Sequence, residues 1–117
     1  MLDKNTVNKV LLMGYISKEP RWHVNNGQRS LCVQLVTSEW IKKDGERLLH
    51  EEYHSISIPE NLSNTQNLNK GAVVYLQGRI QTKMFLDEKR IKHYRTEVLA
   101  TSLEVLDLTF APAQLNI

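Results

Sequence analysis

Apolar and polar residues alternate with a period of two through most of this chain. Side chains on a strand point to opposite faces in turn, so this rhythm predicts β-structure with one buried face. Residues 8–16 (NKVLLMGYI) read as a first strand, with Gly14 as an internal bend. Residues 21–24 form a short strand closed by the turn signal Asn25-Asn26-Gly27. In residues 30–37, Leu31, Val33 and Leu35 share one face and Cys32, Gln34 and Val36 the other. Residues 38–47 (SEWIKKDGER) read as a polar loop around Asp44-Gly45. A third main strand covers residues 49–58, with Ile56 and Ile58 toward the core and Tyr53, Ser55 and Ser57 outward; Pro59 ends it. Residues 60–69 give the one expected helix, a weak one rich in asparagine. Residues 72–82 form the fourth strand, with Val74, Leu76 and Ile80 on its core face and Gly78 marking a bulge or bend. The last strand spans residues 94–106.

Three strands, a short helix and two further strands is the order of the OB-fold. The expected fold is therefore all-β with one short helix: a five-stranded, partly open Greek-key barrel whose fourth and fifth strands are joined by a long hairpin. At 117 residues the chain suits a single domain, with a core from about residue 7 to 106, a loose arm before it and a short tail from 107 to 117.

Charge enters through its distribution. The net formal charge is only +2. Residues 83–95, however, hold five Lys or Arg and one His against Asp87 and Glu88, with Phe85 and Tyr94 interleaved. Trp40 lies beside Lys42 and Lys43, and Trp22 between Arg21 and His23. Accessible rings among cations suit single-stranded nucleic acid, because bases stack on rings while Lys and Arg track phosphates. The single cysteine, Cys32, excludes an internal disulfide and fits a reducing compartment. No apolar run approaches the length of a membrane span. His50 and His54, with Glu46, Glu51 and Glu52, do not complete a metal set. No nucleophile–base signature or phosphate-cradling glycine loop is present, so neither an enzyme, a metal nor a cofactor is expected.

Several blocks carry a resemblance. Val7-Asn8-Lys9-Val10 with Gly14 and Pro20, Thr37-Ser38-Glu39-Trp40, Glu52-Tyr53-His54, Lys70-Gly71 with Val74-Tyr75 and Gly78-Arg79, and Tyr94-Arg95-Thr96-Glu97-Val98 follow one another with fairly specific spacing. In this the chain resembles the bacterial and mitochondrial single-stranded DNA-binding proteins, over nearly all of residues 7–106. The resemblance implies an OB-fold homotetramer that coats single strands in DNA replication, recombination or repair. It implies stacking by Trp40, Tyr53 and Phe85, with Tyr53 and Phe85 where tryptophan is usual and Pro59 where a stacking phenylalanine is common. Tyr75, Gln77, His54 and Lys9 are the expected subunit contacts. Lys42, Lys43, Lys83, Lys89, Arg90, Lys92 and Arg95 are the expected phosphate contacts, and Trp22 is a further candidate ring. The family's linker and acidic tip have no counterpart in residues 107–117, so recruitment of replication enzymes through such a tail is not expected. A cytoplasmic, nucleoid-associated protein is expected ahead of one in the mitochondrial matrix. A primosomal replication protein N-like dimeric adaptor and an RNA- or tRNA-binding OB domain remain as alternatives.

Overall fold

The computed structural model describes residues 5–62 and 68–106. Six strands follow one another: β1 (Val10–Ile16), β2 (Arg21–Asn25), β3 (Gln28–Lys43), β4 (Glu46–Pro59), β5 (Val73–Leu86) and β6 (Lys92–Leu106). They hydrogen-bond in the order β1-β5-β6-β4-β3-β2, and β1 returns to β3 at Tyr15↔Val36 and Ile16↔Leu35. That return closes a five-stranded barrel, where the sequence led us to expect a partly open one. β2 lies outside the ring, paired with the start of β3 through Arg21↔Cys32 to Asn25↔Gln28. The weak helix expected over residues 60–69 is not found among the described residues: Glu60 and Asn61 form a turn and Leu62 a bend, while residues 63–67 lie outside the description.

The core is what the alternation selects. Leu31, Val33 and Leu35 from β3, Ile56 and Ile58 from β4, Val74 and Leu76 from β5, and Val98 and Ala100 from β6 pack with Ile16 and Leu68. Burying side chains of this size stabilises by about 1.5–3 kcal/mol each, before chain entropy opposes it.

Two glycines let the ring curl tightly. A Cβ on Gly14 would run into the Val36 carbonyl oxygen, and one on Gly78 into that of Leu99. Beside Gly78 the register slips: Gln77 faces Ser102 but Gly78 faces Ala100. Thr101 is the extra residue of this bulge, and its hydroxyl donates to the Gln77 carbonyl at 3.2 Å. Past the bulge β5 leaves the barrel. Ile80, expected in the core, is consequently 50% exposed. Its backbone is clasped by the Asn8 side chain, which donates to the Ile80 carbonyl at 2.8 Å and accepts from its N–H at 2.9 Å.

The segment expected to be a polar loop, residues 38–47, is instead the outer half of a long hairpin. Pairing continues from Ser38↔Glu51 to Lys43↔Glu46, and the turn is Asp44-Gly45, with φ of 53° and 83°. Ladder hydrogen bonds form without regard to side-chain polarity, so a ribbon that is wet on both faces has no apolar rhythm to reveal it. The β5–β6 hairpin projects likewise. Asp87 organises its end: one carboxylate oxygen accepts from the N–H groups of Lys89 (2.8 Å) and Ile91 (2.9 Å), and the other meets His93 Nε2 at 2.8 Å. The bond to His93 comes first among the causes that hold the Asp87 carboxyl below its usual range, and the backbone N–H groups add to it.

Candidate nucleic-acid interface

Opposite the core, the alternate residues of four strands make one continuous outer face. β3 contributes Cys32 and Gln34, and β4 contributes Tyr53, Ser55 and Ser57. β6 contributes Arg95, Glu97 and Leu99, and β5 contributes Gln81, Lys83 and Phe85. Arg21 and His23 of β2 border it. The face is a groove. A hollow of about 430 Å³ is lined by Lys18, Arg21, Cys32, Gln34, Ser55, Arg95 and Glu97, among others. Cys32, the free thiol, therefore belongs to the groove and not to the core. Ser57 was expected on the outward face. It does face this groove, but it is only 3% exposed, walled in by the strands on either side.

Two rings stand ready for stacking. Tyr53 is 58% exposed, and Phe85 is 44% exposed. Phe85 is not alone: His93 lies directly across the strand pair and stacks on it, with centroids 5.2 Å apart and planes 16° from parallel. The Arg95 guanidinium sits 5.6 Å from the Phe85 centroid. Together these make a stacked aromatic platform with a cation over the Phe85 ring. The sequence reading passed over His93 as a platform member; its spacing of two from Arg95, on a strand paired with Phe85, was the available signal.

Glu97 was also passed over as a site residue. Its side chain is only 7% exposed, and one of its oxygens receives both Gln81 Nε2 (2.9 Å) and Lys83 Nζ (3.2 Å). A carboxylate on the floor of a cationic groove opposes polyanion binding unless it is neutralised, as it is here by Lys83. In return it fixes where the Lys83 ammonium stands. Strand alternation puts residues 81 and 83 on one face of β5 and residues 95 and 97 on one face of β6; the β5–β6 register then brings the two pairs together.

The other expected contacts are distributed more widely. Trp40 has the same strand parity as Cys32 and Gln34, four residues beyond Val36 and so about 13 Å further along β3 at roughly 3.3 Å per residue. The Arg47 guanidinium covers it at 4.7 Å. Lys42 and Lys43 lie near the end of the same hairpin, opposite Arg47 and Glu46. Lys89 and Arg90 sit in the turn beyond Phe85, whereas Lys92 pairs with Leu86 on the opposite face from Phe85. Trp22 pairs with Leu31, so it faces away from the groove, covered at 4.2 Å by Arg29, which in turn pairs with Glu60 at 3.0 Å.

The proposed subunit contacts fall on a second surface. Tyr75 and Gln77 lie opposite Met13 and Leu11, both exposed apolar residues of β1. Lys9 is exposed just before β1, and His54 is half-buried, its Nε2 2.9 Å from the Thr37 hydroxyl. The two surfaces meet in one row, Tyr15–Val36–Tyr53, across β1, β3 and β4. Val36 is buried beneath it. The two oxygens of Glu51 accept one phenol each, from Tyr15 and from Tyr53, both at 3.3 Å. Burial, with Glu51, raises the Tyr15 phenol above its ordinary value; the Glu51 charge does the same to Tyr53. Among the described residues, no group of three or more His, Cys, Asp or Glu is placed to hold a metal, and no helix is long and apolar enough to cross a membrane.

Comparison with known proteins agrees with this geometry. The model of the single-strand binding protein family matches residues 7–106. A single-stranded DNA-binding protein of Neisseria meningitidis serogroup A is 30% identical over 86% of this chain and 60% of its own length. Single-stranded DNA-binding protein 1 of Chlorobaculum tepidum is 35% identical over 86% of this chain and 65% of its own. The chain thus spans somewhat under two thirds of these relatives. Among solved structures, a Plasmodium falciparum SSB in complex with ssDNA superposes with a TM-score of 0.73 at 24% identity, covering 91% of this chain and all of that one. A deletion mutant of the single-stranded DNA binding protein from Thermus aquaticus superposes with a TM-score of 0.74 at 19% identity, covering 88% of this chain and 52% of that one. These two likenesses speak for the fold. By the match over residues 7–106, this chain belongs to the single-strand binding protein family.

Proposed function

We propose that this protein binds single-stranded DNA without regard to sequence and coats exposed strands during replication, recombination or repair. The observation that carries the reading is one groove holding Tyr53, the Phe85–His93 platform, Lys83 and Arg95 on a single outer face. Rings stack on any base, each contributing roughly 1–3 kcal/mol. Lys83 and Arg95 release counterions from phosphates. Bases already stacked and paired in a duplex cannot reach the rings, which is the origin of the preference for unpaired strands. The reading is binding without catalysis, by a cytoplasmic protein.

Self-association fits the same proposal. Leu11, Met13, Tyr75 and Gln77 form a face that a second copy would cover, and a homotetramer built as a pair of dimers satisfies closed symmetry. Light scattering checks this; a stable dimer would favour the primosomal adaptor.

Titration of a long fluorescent oligothymidine, followed by anisotropy, is the test. Binding is expected to be tight at low salt and to weaken with log[salt] at a slope of about −0.7 per phosphate neutralised. Equal affinity for a duplex of the same length would overturn the reading, and a preference for RNA oligomers would redirect it to the RNA-binding alternative.

A further inference from the structure

Beyond the open groove, a second and smaller hollow of about 280 Å³ lies at its β2 end. Its floor is Ser57, with Ser30 beside it; its apolar walls are Pro59 and Leu99; His23 and Lys83 stand at its rim. The volume is close to the lower end of the roughly 300–1,000 Å³ typical of small-molecule sites, which suits one nucleoside.

Ser57 is the most enclosed polar group that this hollow offers a ligand. Ser57 is 3% exposed, yet its hydroxyl makes no hydrogen bond with any described residue. Nor is it a sealed, orphaned group: among the described residues no enclosed side-chain nitrogen or oxygen lacks a partner. The residue lines the hollow, and its hydroxyl is the polar group it can present there. A hydroxyl placed there meets the water of the hollow and can exchange it for a hydrogen bond to a ligand group.

We infer that this hollow is a seat for one base of the bound strand, drawn out of the stack; the inference rests on the single-strand reading above. Pro59 and Leu99 would meet the faces of the base and Ser57 and Ser30 its edge. Each hydroxyl both donates and accepts, so purines and pyrimidines can be satisfied without a fixed code, in keeping with sequence-indifferent binding. Lys83, anchored by Glu97, stands at the rim where the attached phosphate must pass. In this protein the seat supplies, by enclosure, a contact that an exposed ring supplies elsewhere in the groove.

The test has two arms. In the first, Ser57→Val fills the floor and removes the hydroxyl. Oligothymidine affinity is expected to fall five- to tenfold with the salt slope unchanged, because no charge is lost. In the second, the unaltered protein is titrated with thymidine, thymidine 5′-monophosphate and inorganic phosphate while backbone amide shifts are followed. Thymidine and its monophosphate are expected to move Ser30, Ser57 and Leu99, and phosphate alone to leave them in place. Shifts reproduced by phosphate alone would overturn the base seat in favour of an anion site. Unaltered protein that binds oligothymidine, with an equally tight Ser57→Val variant and no thymidine shifts, would overturn the seat while leaving the groove intact. Failure of the unaltered protein to bind oligothymidine at all would instead overturn the single-strand reading.

Discussion

Gly78→Ala is expected to cost about 3 kcal/mol or more of folding stability, a large share of the roughly 5–15 kcal/mol that holds a domain of this size together. The added methyl would overlap the carbonyl oxygen of Leu99. That obstacle is backbone, paired across the ladder, and it cannot swing aside as the end of a flexible side chain would. Either β5 and β6 separate at the bulge or the barrel opens. A control shows that the effect comes from crowding and not from glycine chemistry in general. Gly27 has a φ of 78° and nothing within 4 Å of a built Cβ, so Gly27→Ala carries only the left-handed penalty of about 1–2 kcal/mol. Urea unfolding of both variants settles the comparison. A Gly78→Ala midpoint equal to that of the unaltered protein would mean that the close approach is not there.

Removing both stacking rings should have the largest effect on binding. Tyr53→Ala with Phe85→Ala is expected to weaken oligothymidine binding by about 2–6 kcal/mol, roughly thirtyfold to twenty-thousandfold. The rings lie on different strands with separate neighbours, Glu51 for Tyr53 and His93 with Arg95 for Phe85, so their contributions should nearly add. Both side chains lie on the outer face, outside the core, so folding should survive. Anisotropy titration and circular dichroism, read together, decide it. A folded variant with unchanged affinity would show that bases do not stack on these rings.

The parts of this molecule that bury apolar surface were legible in its sequence. Leu31, Val33 and Leu35 against Cys32 and Gln34, or Ile56 and Ile58 against Tyr53 and Ser55, announce a strand and its inward face at once. What alternation could not show was structure held by backbone bonds alone. Residues 38–47 pair as a ribbon in water on both sides, and so read as a loop. Ile80 keeps the inward parity of Val74 and Leu76 and lies opposite Val98, but the pairing of β5 with β1 ends at Val10↔Gly78, so Ile80 lies past the closed ring, and alternation does not reveal where a ring ends. Closure of the ring through Tyr15 and Ile16 was equally hidden, since it rests on pairing between distant segments. At the site, Tyr53 and Phe85 were legible as accessible rings beside charge. The Glu97 anchor and the His93 platform depend on cross-strand register, which is set only once β5 and β6 are aligned. Trp22 looked like a ring among cations, but its parity with Leu31 turns it away from the groove.

The barrel is two long ribbons joined along short seams. Among the described residues β4 and β6 pair at Ile56↔Val98 and Ser57↔Leu99 alone, and β1 and β3 at Tyr15↔Val36 and Ile16↔Leu35, with the Ser17 N–H adding one bond to the Gln34 carbonyl at 3.0 Å. Few bonds must break for either seam to breathe, so local opening there should be frequent compared with global unfolding. The groove runs directly over the β4–β6 seam, with Ser57 on one bank and Leu99 on the other. A strand lying in it would act as a splint, gripping both ribbons at once. Amide hydrogen exchange at Val98 and Leu99 should then slow on oligothymidine binding more than exchange within the β3–β4 ribbon. Coating would thus be protective in both directions: the protein shields the strand, and the strand keeps shut the joint on which the protein's own fold depends.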